Sequence, residues 1–152
     1  MALPQIKKAG TSALLHRLFM APNLKTFMEN NAEELELPQF YTYISGLCRD
    51  AGKVPEQIIK QSGIDRTYGH QLFNGTRKPS RDKVIQLAFG FRLDVAGTQE
   101  LLKYARQTAL YPKIKRDAII LRCLNENKDV IETQSILQAL GSTLLGGEEK
   151  NG

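Results

Sequence analysis

The apolar residues of this chain recur mainly three or four positions apart, which is the spacing of an amphipathic helix. In residues 38–52, PQFYTYISGLCRDAG, the apolar positions at this spacing are Phe40, Tyr43, Ile44, Leu47 and Ala51. No stretch of strand length alternates convincingly between apolar and polar residues. The pattern therefore predicts an all-α protein.

The ends of the predicted helices are marked by residues that cap or stop a helix. Pro55 suits a first turn, and Gly63 favours the left-handed backbone that ends a helix. Gly52 and Gly141 are predicted stops of the same kind. The side chains predicted to cap helix N-termini are Ser12, Asn23, Asp65, Ser80, Asp94 and Asp129, the last in a capping box with Glu132.

The predicted helices divide into three parts and a tail. Residues 1–37 are expected to form an N-terminal helical arm, 38–107 a central domain, 108–145 a C-terminal helical hairpin, and 146–152 a disordered tail. No internal repeat is apparent. The apolar stripe of the hairpin has two alternative uses, which are closing the core and forming a dimer or partner surface.

The formal net charge of +5 is concentrated in the middle of the chain. Residues 49–92 contain nine basic and four acidic residues, whereas residues 1–48 and 93–152 each contain equal numbers of the two. A basic cluster of this kind is either an ordinary solvated surface or a surface that attracts a polyanion.

The segment DRTYGHQLFNG, residues 65–75, predicts a helix with two unlike faces. At 100° per residue, Tyr68, Gly69, Leu72 and Phe73 fall on one side, where a core would contact them. The opposite arc has no Asp, Glu or Lys and consists of Arg66, Thr67, His70, Gln71 and Asn74. Arginine pairs with guanine edges, and asparagine or glutamine with adenine edges. This arc therefore favours base recognition in DNA.

A longer segment, VPEQIIKQSGIDRTYGHQLFNGTRKPSRDKVIQLAFGFRLDV, resembles the phage-repressor-like (Cro/Xre-type) helix-turn-helix family. The match includes Gly63 at the turn, Leu72 in the core, and NGTRKPS after the second motif helix. The resemblance covers residues 38–107, a little under half of the chain. It implies a five-helix repressor-like domain that binds double-stranded DNA.

The resemblance also implies a role for each polar residue in this segment. The helix over 65–75 would lie in the major groove and contact bases through Arg66, Thr67, His70, Gln71 and Asn74. The residues expected at the DNA phosphates are Arg77, Lys78, Ser80, Arg81 and Lys83.

Two positions depart from the family pattern. Pro55 stands where the family often has a glutamine that touches the DNA backbone, and Gly69 stands where it usually has a branched apolar residue. A glycine inside a helix costs about 1 kcal/mol relative to alanine. Gly69 therefore predicts either an unusually close approach of the two motif helices or adaptation to a different partner.

Enzymatic and metal-binding patterns are weak in this sequence. His16 and His70 are the only histidines, and neither has a second ligand at metal-binding spacing. The spacing from Gly75 to Lys78 does not match a phosphate-binding loop, and Cys48 falls beside an apolar helical stripe. We expect no enzyme activity, cofactor or metal. With two distant cysteines and no signal peptide or membrane-spanning run, a cytoplasmic location is expected.

These observations predict a sequence-specific transcriptional regulator of bacterial or phage type. Proteins of this fold usually bind palindromes as pairs, so a homodimer is expected. Its first candidate interface is residues 113–141 and its second is the N-terminal arm. The alternative is an adaptor or antitoxin of the same fold that turns its basic surface toward an acidic protein partner.

Overall fold

The computed structural model describes residues 8–35 and 37–147, and in these residues it contains nine α-helices, one short 3₁₀ turn and no β-strand. The prediction of an all-α protein is confirmed for this part of the chain. In chain order the helices are α1 (Lys8–Met20), α2 (Leu24–Asn30), α3 (Phe40–Asp50), α4 (Pro55–Ser62), α5 (Arg66–Asn74), α6 (Arg81–Gly90), α7 (Val95–Tyr104), α8 (Lys115–Asn125) and α9 (Val130–Ala139), with the 3₁₀ turn at Ala32–Glu34.

Most of the predicted caps lie at helix N-termini. The side chains of Asn23, Asp65, Ser80, Asp94 and Asp129 each accept a hydrogen bond from the backbone N–H three residues later, at 2.8–3.2 Å. Asp129 and Glu132 form the predicted capping box. The prediction for Ser12 is wrong, because α1 begins at Lys8 and Ser12 lies inside the helix. The tail from residue 148 onward falls outside the described residues.

The turn between α4 and α5 depends on Gly63. This residue has φ +69°, in the left-handed region that glycine adopts without strain. A Cβ atom there would also lie 3.3 Å from the side chain of Val130, so both conformation and space favour glycine. Three residues, 63–65, therefore suffice to turn the chain from α4 into α5.

Gly69 lies where α5 packs against α4. A Cβ atom at this position would come within 2.5–2.9 Å of three side-chain atoms of Ile59. The two helices thus approach as closely as one of the two sequence interpretations expects. Any larger residue at position 69 would force the side chain of Ile59, or α5 itself, to move.

The main hydrophobic cluster of the described residues extends from Tyr43 in α3 to Leu145 beyond α9. At its centre is α6, in which every residue from Val84 to Gly90 is buried and which packs against α4, α7 and α9. The apolar stripe of the C-terminal hairpin belongs to this core: Ile120, Cys123, Leu124, Val130 and Leu137 are all buried. Of the two uses expected for that stripe, core packing is the one that the structure shows.

The expectation of no internal repeat is wrong. Residues 81–111 and 116–146 form two successive units, each with a helix, a left-handed turn, a second helix and a second left-handed residue. The predicted domain boundary after Gln107 falls inside the first unit. Residues identical to those 35 positions later are Arg81, Asp82, Ile85, Asp94, Val95, Thr98, Gln99, Leu102, Thr108 and Leu110.

Equivalent polar side chains of the two units make the same hydrogen bonds. The side chain of Gln99 accepts from the backbone N–H of Leu110 and donates to its C=O, at 2.8 and 2.9 Å. Gln134 repeats both bonds with Leu145, at 2.7 and 2.9 Å. The units are therefore equivalent in three dimensions, although most of their residues differ.

Reciprocal ion pairs join the two units. Arg81 donates two hydrogen bonds, at 3.1 and 2.9 Å, to the carboxylate of Asp117, and Arg116 donates two, both at 2.9 Å, to that of Asp82. Each arginine also donates to two backbone carbonyls that follow the second helix of its own unit. Such an exchange of equivalent contacts is what an approximate two-fold axis between the units produces. We call these four side chains the reciprocal clamp.

Candidate nucleic-acid interface

The outward side of α5 carries all five residues predicted to contact bases. Leu72 and Phe73 are buried and hold the opposite side of the helix against the core. Arg66, Thr67 and Asn74 are exposed, and His70 and Gln71 are partly buried. The structure therefore brings the predicted base-contacting side chains together on one accessible arc.

A carboxylate from α4, Glu56, lies beside this arc. Its two oxygens accept hydrogen bonds from His70 Nε2 at 2.8 Å and from Arg66 Nε at 2.9 Å. The bonds from His70 and Arg66 hold the pKa of Glu56 below its ordinary value. Sequence reasoning missed Glu56, because it precedes Arg66 by ten residues and belongs to another helix.

The two amide side chains of the arc are already engaged through their oxygens. Gln71 Oε1 accepts from Arg77 Nε at 2.9 Å. Asn74 Oδ1 accepts from both the backbone N–H and the hydroxyl of Thr76, at 2.9 and 2.8 Å. Their NH₂ groups have no partner within the described residues, so each side chain can donate outward without rearrangement.

Three cations surround the loop that follows α5. The guanidinium of Arg77 lies 4.4 Å from the ring centre of Tyr68, and the ammonium of Lys83 lies 5.1 Å from it. Lys78 is exposed, and no partner for it occurs in the described part of the chain. The side chain of Ser80 caps α6. We call Arg77, Lys78 and Lys83 the basic cluster.

Arg81 does not belong to this cluster. Its guanidinium makes four hydrogen bonds inside the protein, two to Asp117 and two to the backbone carbonyls of Thr108 and Ala109. The side chain of Arg81 is only 25% exposed. The residue expected at a phosphate is therefore part of the reciprocal clamp.

The clamp also neutralises the carboxylate of Asp82, which directly follows Arg81 in α6. Burial alone would raise the pKa of Asp82, but hydrogen bonds from Arg116 and from the backbone N–H of Gly146 outweigh burial and lower it. The charge of Asp82 is thus matched within the core, while Arg66 and the basic cluster stay at the surface. The outer face of α5 and the loop after it are positive apart from Glu56 and the helix cap Asp65.

Other sites for chemistry are sparse in the described residues. No group of three or more His, Cys, Asp or Glu side chains there could hold a metal ion. Both cysteines are buried and unpaired by disulfide, and burial raises the pKa of the Cys48 thiol. Cys48 is a core residue, as its place beside an apolar stripe predicts.

Within the same described ranges, no helix is both long and apolar enough to cross a membrane. Comparison with models of known protein families, with characterised proteins and with solved structures finds no match to this chain.

Proposed function

We propose that this chain is a sequence-specific DNA-binding transcriptional regulator in which α4, the turn at Gly63 and α5 act as a helix-turn-helix of the Cro/Xre type. The observation that carries the proposal is the accessible arc of α5 next to the basic cluster. In this interpretation α3 to α7 correspond to the five helices of a repressor-like domain.

The dimensions of α5 suit a major groove. An α-helix with its side chains is about 10–12 Å across, and the major groove of B-form DNA is about 12 Å wide. Because Leu72 and Phe73 anchor the inner side, the helix can enter the groove without unfolding. The outer side chains then meet base edges while the basic cluster meets phosphates on the flanking strand.

Base contact requires one local exchange of partners. Arg66 is 75% exposed and Glu56 51% exposed, and ion pairs at such exposure are weak and screened by salt. A guanine edge can therefore replace Glu56 as the acceptor for Arg66. Asn74 can donate at once, but bidentate pairing with adenine requires its oxygen to leave Thr76.

The proposed phosphate contacts are Arg77, Lys78, Lys83 and the hydroxyl of Ser80. Arg81 is left out because its donors face the clamp. Arg81 immediately precedes the buried part of α6, so the clamp fixes the point where the cationic loop joins the core. Its proposed role is to position the loop.

The direct experiment is selection of an operator from random duplexes, followed by anisotropy titrations of variants. Arg66→Ala should weaken operator binding by roughly 1–3 kcal/mol and relax the preference at one or two base positions. The matched control is Arg122→Ala: Arg122 is 76% exposed and, like Arg66, pairs with a glutamate. Equal operator affinity for parent, Arg66→Ala and Asn74→Ala would show that α5 is not the reader.

Salt dependence separates this proposal from the alternative of an adaptor for an acidic protein. Lys78→Ala should weaken binding to all duplexes and reduce the slope of log affinity against log salt by about one unit. Lys113→Ala removes another exposed lysine, one that does not belong to the basic cluster, and should leave the slope unchanged. A parent protein that is not retained on random-sequence DNA at physiological salt would favour the adaptor.

A further inference from the structure

The N-terminal arm exposes an apolar surface. On α1 and α2, pairs of large side chains four residues apart face the same way, Leu15 with Phe19 and Leu24 with Met28. We call the arm surface the set Leu15, Phe19, Met20, Leu24 and Met28, which are 48–73% exposed. Soluble monomers rarely leave a large contiguous apolar patch in water.

The arm is a helical hairpin whose two helices are joined by side-chain hydrogen bonds. The guanidinium of Arg17 donates to Asn31 at 2.7 Å and to both oxygens of Glu34 at 2.7 and 3.1 Å, which ties α1 to the end of α2. Asn31 is buried, and its side chain donates to the carbonyl of Phe27 at 2.8 Å. Phe27 is itself buried, outside the main hydrophobic cluster. These contacts hold the helices in place while the arm surface remains exposed.

The N-terminal arm has no net charge, and this favours an uncharged partner surface over a polyanion. Residues 8–35 contain Lys8, Arg17 and Lys25 against Glu29, Glu33 and Glu34, so this hairpin has no net charge. Nucleic acid or a highly acidic protein would gain nothing from it electrostatically, in contrast to the basic middle of the chain. Two copies of the arm would not repel each other.

The arm surface is large enough for pairing with itself. Burial of about 100 Å² from each of its five side chains would remove roughly 500 Å² per copy. Two copies would then bury on the order of 1,000 Å², which is about the minimum expected of a specific interface. Residues 113–141 expose fewer large apolar side chains, because most of their stripe lies in the core; the exposed ones are Ile114, Ile131 and Leu140.

We propose that two copies of this chain pair through the arm surface, α1–α2 against α1–α2, in a two-fold dimer. The pairing rests on the arm itself. Its use, presenting two α5 helices to the half-sites of a palindrome, rests on the proposed DNA-binding function.

The test uses the full chain in sedimentation equilibrium at up to tens of micromolar. Phe19→Glu should raise the dimer dissociation constant at least about 100-fold, because an unpaired carboxylate would enter an apolar interface. The matched control is Ile131→Glu, since Ile131 and Phe19 are both 73% exposed but only Phe19 belongs to the arm. Phe19→Ala with Leu24→Ala serves as a second, uncharged variant that should also weaken the dimer while circular dichroism stays unchanged.

DNA titrations separate failure of the dimer from failure of the function. Phe19→Glu should bind a single half-site like the parent and lose only the additional affinity for a palindrome. A parent that is monomeric alone and on a palindrome, or a dimer unaffected by both arm variants, would overturn the arm pairing but leave DNA binding intact. A dimer that dissociates as expected but never binds DNA would overturn only the proposed function.

Discussion

Removing Arg116 tests the reciprocal clamp most directly. The change Arg116→Met keeps most of the side-chain volume and deletes two hydrogen bonds to Asp82 and two to backbone carbonyls. Asp82, whose side chain is 10% exposed, would keep only the bond from the Gly146 N–H, at 2.8 Å, among the residues that the structure describes. Breaking one side of a buried ion pair costs about 3–5 kcal/mol, because the remaining charge is uncompensated.

Since the side chain of Arg116 is 19% exposed, we expect a loss near the lower end, about 3 kcal/mol. For a chain of this length, this corresponds to a fall in melting temperature of roughly 6–12 °C. The free energy of unfolding would be measured by urea titration followed by circular dichroism. Arg81→Met should cost a similar amount, because it leaves the equivalent carboxylate, Asp117, which is 2% exposed.

Two comparisons decide whether the clamp has the proposed role. The double variant Arg116→Met with Asp82→Leu should recover most of the loss, because no buried charge is then left unpaired. Arg122→Met, which breaks an exposed pair, should change the unfolding free energy little. If Arg116→Met were as mild as Arg122→Met, the clamp would not be a stabilising link between the two repeat units.

Three further predictions follow from individual contacts. Glu56→Gln should tighten binding to DNA and steepen its salt dependence, because Arg66 and His70 lose a competing carboxylate; Glu126→Gln, at another exposed pair, should not. Gly69→Ala should destabilise the fold by about 1–3 kcal/mol in urea titrations, and it should cost less in an Ile59→Ala background, which removes all three contacting atoms. The lowered pKa of Asp82 contributes stability above its unfolded pKa of roughly 3.9, and this contribution is lost as pH falls through the lower folded pKa. Asp82→Asn should therefore flatten the acid limb of the stability curve, an outcome that an unchanged limb would contradict.

Local chemistry explains which structural features could be predicted from the sequence. Asp65 caps α5 through a bond to Tyr68, three residues away, and Gly63 needs only its own backbone freedom to turn the chain. The helical period likewise assigns Leu72 to the core and Arg66 to the surface without any tertiary information. Features that depend on neighbours within one helix are visible in a single sequence.

Contacts between distant segments were not predictable in this way. Arg81 lies within a run of basic residues, and the sequence therefore predicts that it contacts a phosphate. Its partner in the structure is Asp117, which is 36 residues away. The internal repeat is hard to detect because only ten residues are identical between the units, and several of them serve as caps or hydrogen-bonding side chains rather than as an apolar pattern. Thr98 and Gln99 show this: each has a counterpart 35 residues later that makes the same bonds.

The internal repeat gives the residues after Gln107 a structural role, which is to stabilise the start of α6. The second unit supplies Asp117, which holds Arg81, and Arg116, which neutralises Asp82, so both ends of the clamp meet at the first turn of α6. That turn follows directly from the cationic loop of the proposed DNA interface. A chain ending at Gln107 would leave Asp82 without its partner and expose the side of α6 that packs on α9. We therefore expect such a chain to lose stability along with DNA affinity, because the second unit stabilises the start of α6, which directly follows the cationic loop.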